Sequence, residues 1–89
     1  MNLNIDISKE EVTSFYSRIG KNVKEARQQK GLSQLQLALA MGFGTVSNVA
    51  KAETMIESKH FNLGHLYKIA KILEVDLCTL LKQDDDKNG

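Results

Sequence analysis

The sequence predicts an all-α fold, a single domain of five short helices. Three observations carry that prediction. The chain has no proline and only six glycines in 89 residues, which leaves few of the turns that a β fold needs. Apolar residues recur at steps of three and four through most of the chain, the period of one helix face. A serine, threonine, asparagine or aspartate stands ahead of each such run, where a helix needs an acceptor for its unpaired N–H groups.

Residues 1–7 come first, and Leu3-Asn4-Ile5-Asp6-Ile7 alternates with the period of a strand. They are expected to form an N-terminal arm, ordered against a partner or frayed. Ser8 and Glu11 make the capping-box pattern that opens the first helix. Val12, Phe15, Tyr16, Ile19, Val23 and Ala26 then fall on one stripe. Gly31 is the expected stop, with Arg27 and Lys30 in the last turn. Gly20 interrupts the run and either admits another helix at close range or marks a bend. Phe15 and Tyr16 belong either to the core or to a dimer seam.

Ser33 is expected to cap a second helix carrying Leu35, Leu37, Ala38 and Met41 and ending at Gly42. Gly42-Phe43-Gly44 reads as a turn. Thr45 is the expected cap of a third helix, whose inner side is Val46, Val49, Ala50 and Ala52. Residues 54–61 have no period and read as a loop. Asn62 caps a fourth helix reaching Leu73, with Leu63, Leu66, Tyr67, Ile69 and Ala70 as its apolar residues. Asp76 caps a short fifth helix with Leu77, Leu80 and Leu81 facing inward. The domain is thus expected over residues 8–82, and residues 83–89 as a disordered acidic tail.

The formal net charge of +1 hides an uneven distribution. Residues 18–71 carry nine lysines and arginines against Glu25, Glu53 and Glu57, while both flanking segments are net acidic. A basic middle of this kind is either the footprint of a polyanion partner or a solvated surface with chance clustering. Other classes fare worse. Aromatic residues are 6% and tryptophan is absent, so a stacking platform for single strands is not expected. The lone Cys78 can form no internal disulfide and reads as a buried thiol. His60 and His65 are five apart without the central glutamate of a zinc helix, so neither a metal nor a cofactor is expected. No nucleophile–histidine set or phosphate-cradling glycine loop argues for an enzyme. No apolar run is long enough to span a bilayer, and a cytoplasmic protein is the expectation.

One ordered set of residues says more. The run Arg27-Gln28-Gln29-Lys30-Gly31-Leu32-Ser33-Gln34, followed by Leu37-Ala38, Gly42 and Glu53, resembles the phage-repressor/Cro-type helix-turn-helix regulators, the Xre-type family. The run Leu66-Tyr67-Lys68-Ile69-Ala70-Lys71-Ile72-Leu73, then Val75-Asp76-Leu77 and Leu80-Leu81, resembles that family's last two helices. The resemblance covers residues 19–81. It implies a five-helix, lambda-repressor-like helix-turn-helix domain, here with an N-terminal extension of the first helix. It also implies a homodimer on double-stranded operator DNA, with the third helix, residues 45–52, in the major groove.

Carried over residue by residue, the resemblance gives Ser33, Gln34, Thr45 and Lys59 to phosphates and Val46, Ser47, Asn48 and Lys51 to base edges. Lys21 or Lys24 would join the phosphate contacts if their helix face turns to DNA. Arg27 and Glu53 take the positions of a structural ion pair. The implied function is a sequence-specific transcriptional regulator, most simply a repressor. The alternative is an antitoxin or adaptor that uses the same framework to hold a protein partner, motivated by the apolar arm and long first helix. The chain departs from the family pattern in three places. Gly42 and Glu53 are one residue further apart, the loop from Glu53 to Leu66 is longer, and residues 1–17 are an extension.

Overall fold

The structure is a computed structural model, and it describes residues 5–83. Five α-helices follow in order: α1 (Lys9–Lys30), α2 (Gln34–Ala40), α3 (Ser47–Thr54), α4 (Leu63–Leu73) and α5 (Leu77–Leu81). A short 3₁₀ turn, Ile56–Ser58, lies between α3 and α4. No strand occurs among the described residues. Residues 1–4 of the expected arm and 84–89 of the expected tail lie outside the described residues.

Helix starts follow from local acceptors. Ser8 Oγ accepts from the Glu11 N–H, and Glu11 Oε1 accepts from the Ser8 N–H, each at 3.0 Å. Ser33 and Gln36 repeat this reciprocal pair at α2. Asn62 repeats it at α4 with His65, whose ring nitrogen takes the place of a carboxylate. The end of α1 is equally local: Gly31 adopts φ +82°, which lets its N–H and that of Leu32 close onto the carbonyls of Gln28 and Arg27.

The core is made by one side of each helix. Ile19, Val23 and Ala26 of α1, Leu37 and Ala38 of α2, Val49 and Ala52 of α3, Leu66, Ile69 and Leu73 of α4, and Leu80 of α5 form one buried cluster. The α1 helix is its axis and packs on α3, α4 and α5. Two details fix how closely. A Cβ on Gly20 would lie 2.7 Å from the Ala52 carbonyl and 2.8 Å from that of Glu53, so this glycine admits α3 rather than bending a helix that runs unbroken to Lys30. Asn22, buried in α1, donates to the carbonyls of Leu80 at 3.0 Å and Lys82 at 2.8 Å and holds the end of α5.

The structure corrects several expectations. The third helix begins at Ser47, with Val46 at the cap in a helical conformation and no side-chain cap; Thr45 sits further out, its Oγ1 accepting from the Ser47 N–H at 3.3 Å. The extra residue after Gly42 lengthens the turn and delays the helix. Val46 consequently lies before the first turn and is exposed rather than inward. The segment 54–61 is not all loop, since α3 takes Thr54 and the 3₁₀ turn follows. Cys78 is exposed, because Leu80 takes the single buried position of a five-residue helix. Leu35, Leu63 and Tyr67 lie on solvent faces, as do Val12 and Phe15, and Tyr16 is half-buried. The described part of the arm, residues 5–7, has no secondary structure, with Ile5 79% and Ile7 62% exposed.

Gly20→Ala tests the α1–α3 approach. Helix propensity alone favours alanine by about 1 kcal/mol, but two backbone carbonyls must move to admit the methyl. A net loss of about 1–3 kcal/mol in urea denaturation is expected; an unchanged or raised midpoint would contradict the close contact.

Candidate nucleic-acid interface

The site is organised by a buried charge pair. Arg27 Nε donates to Glu53 Oε2 at 2.7 Å and Arg27 Nη2 to Glu53 Oε1 at 3.1 Å, a two-pronged contact with both side chains almost wholly buried. Arg27 Nη1 donates to the Leu32 carbonyl at 2.8 Å, and Gln34 Nε2 donates to Glu53 Oε1 at 3.0 Å. One cluster therefore ties the end of α1, the linker, the start of α2 and the last turn of α3. Gln34, placed at a phosphate by the sequence reading, spends its amide inside this clamp.

With its back so held, α3 buries Val49, Ala52 and Glu53 and turns Ser47 and Asn48 outward. Thr45, Val46, Ser47 and Asn48 are consecutive and exposed. Ser33 is exposed at the start of α2, its oxygen accepting from the Gln36 N–H. Asn48 and Lys59 are brought together in an open cleft of about 210 Å³, which Phe43, His60 and His65 also line. Lys51 is half-buried, and its ammonium donates to Glu57 Oε1 at 2.9 Å. That hydrogen bond and charge hold the Glu57 carboxyl below its usual range. Lys21, Lys24, Lys68 and Lys71 are exposed, and Lys71 lies 5.5 Å from the centroid of the Tyr67 ring.

Sequence reasoning missed three polar roles here. The sixth residue after Lys51 is not a helical neighbour, so nothing in the spacing announces Glu57 as its partner. Asn22 acts on carbonyls some sixty residues away along the chain. The Asn-x-x-His spacing at 62–65 was a readable signal for the α4 cap, had histidine been counted with glutamate and glutamine. His60 stacks on Tyr16, with ring centroids 3.8 Å apart.

The family model described as helix-turn-helix matches residues 23–80, from the middle of α1 into α5. No curated protein matches the chain. No helix among the described residues is long and apolar enough to cross a membrane.

Two measurements test the site's framework. Glu53→Gln strands a buried guanidinium and should cost about 3–5 kcal/mol in urea denaturation, whereas Glu74→Gln, at the exposed Lys30–Glu74 pair, should barely move the midpoint. The second concerns His65, whose pKa is lowered from 6.5 by burial and then by Lys68. Its neutral ring accepts the Asn62 N–H, and protonation removes that acceptor. The folded state therefore binds this proton less readily than the unfolded chain does. The stability it contributes is complete above about pH 6.5 and falls as pH drops through the lowered folded value. Melting temperatures from pH 7 to pH 5 should fall less steeply in His65→Gln; parallel curves would contradict this role.

Proposed function

The chain belongs to the Cro/C1-type helix-turn-helix family, and on that premise we propose that it is a sequence-specific regulator of transcription, a repressor that occludes a promoter. The domain type is a DNA-binding one. The observation that carries the finer reading is the exposed run Thr45, Val46, Ser47 and Asn48, at the start of a helix whose other side is clamped by Glu53. Helices of this kind place their first turn against base edges in the major groove.

In this reading Asn48 pairs its amide with an adenine, Lys51 donates to guanine O6 and N7, Val46 meets a thymine methyl, and Ser47 bonds whichever edge it faces. Ser33, Gln34, Thr45 and Lys59 hold phosphates and set the register. For Gln34 the backbone N–H is the group on offer, since the side chain serves Glu53. Two copies read a pseudo-palindrome as a homodimer in the cytoplasm. The second reading, an antitoxin or adaptor that binds a protein partner, is favoured by a set of exposed apolar side chains. Ile5, Ile7, Val12, Phe15 and Leu63 are all exposed, on the extension and beside it.

Selection from a random duplex pool tests the proposal. An enriched, two-fold symmetric consensus is expected, with about six phosphate contacts giving a log–log salt slope near −5. Asn48→Ala should cost about 1–3 kcal/mol on the selected duplex. No binding to any duplex at low salt, or an unaffected triple alanine variant of Ser47, Asn48 and Lys51, would contradict it. Sedimentation should show two chains per site.

A further inference from the structure

The cation assigned to base reading is already engaged. Lys51 Nζ donates to Glu57 Oε1 at 2.9 Å, with the lysine side chain 34% exposed and the glutamate 61% exposed. Glu57 is not on α3. It comes from the 3₁₀ turn behind it, where Met55, Glu57 and Ser58 adopt φ of +59°, +58° and +60°. Three non-glycine residues in the left-handed region within four positions is a costly conformation, and such backbone persists where the surroundings dictate it. Its result is a carboxylate at the ammonium of Lys51, in water-accessible surroundings where such a pair is easily exchanged.

We propose that Glu57 gates Lys51. The carboxylate keeps the ammonium from the phosphates of an arbitrary duplex and yields it to a base acceptor presented at close range in the matching site. The inference rests on the DNA reading of α3 and names what governs selectivity there. Its physical basis is direct. Non-specific affinity comes from cations neutralising phosphates, and a lysine paired with a carboxylate brings no net charge to that encounter. A carboxylate facing the duplex also repels it. Specific docking supplies fixed acceptors that replace Glu57, so the matching site loses less. Glu57 therefore lowers affinity everywhere but lowers it most where the sequence is wrong.

The experiment compares the full chain with Glu57→Gln, Lys51→Met and the double variant. Binding is measured on the selected duplex and on a scrambled duplex of equal length, across a salt series. Circular dichroism and melting confirm that each variant is folded; both positions lie outside the buried core. Glu57→Gln is expected to raise affinity for scrambled duplex about three- to tenfold and to steepen its salt slope by about 0.9, one added phosphate contact. Its gain on the selected duplex should be smaller, so the specificity ratio falls. In the Lys51→Met background the same substitution should lose most of its effect, since its target is gone. The inference is overturned if the full chain binds duplex and Glu57→Gln leaves affinity, slope and ratio unchanged, or if its gain persists undiminished without Lys51. A full chain that binds no duplex would overturn the DNA reading itself, before any variant is compared.

Discussion

The buried contact between Arg27 and Glu53 is the constraint on which the rest of the structure depends. An eight-residue helix such as α3 has little stability of its own. Its place must be imposed by what it packs against. Val49 and Ala52 provide attraction without direction, because apolar burial is non-directional. The two-pronged contact supplies direction. It fixes the rotation of α3 about its axis, and with Leu32 and Gln34 it fixes the linker and the start of α2 as well. Buried ion pairs are weak contributors to net stability when weighed against apolar replacements. The service of this one is orientation: it decides which side chains of α3 face outward.

The other features of the site follow from that rotation. Gly20 allows α3 to lie against the α1 backbone, so the Glu53 carboxylate reaches the Arg27 guanidinium about two turns further along α1. With Glu53, Val49 and Ala52 committed to the interior, Ser47 and Asn48 have only solvent to face. Lys51 falls at the edge between the two environments, half-buried, and its charge is met from the 3₁₀ turn by Glu57. A face that is polar at its start, and balanced in charge further along, suits selective contact better than general adhesion to a polyanion.

How much of this the sequence announced depended on how local each determinant is. Ser8, Ser33, Asn62 and Gly31 act within a few residues of themselves, and each was readable as a cap. The five helices and the centre of each core stripe were readable for the same reason, whereas Val12, Leu35, Leu63 and Tyr67, counted on the stripes, face solvent. Thr45 was not, because the lengthened turn after Gly42 shifts the start of α3 and spacing does not say which residue absorbs the shift. Val46 followed the same error to the wrong side. Cys78 beside Leu77 was expected inside, but a five-residue helix buries only what its geometry allows, here Leu80. The Arg27–Glu53 pair was named through family resemblance and not through spacing, and Gln34, which also donates to Glu53, was assigned to a phosphate. The pairing of Glu57 with Lys51 depends on left-handed backbone at three non-glycine positions, for which the sequence carries no mark.

The most direct test of the central claim, that the outward turn of α3 meets DNA, is to map backbone amide resonances as the selected duplex is added. The largest changes should fall on residues 45–51 and at Ser33 and Lys59, with the first half of α1 and all of α5 nearly still. Largest changes around Phe15 and Leu63, with residues 45–51 unmoved, would contradict it.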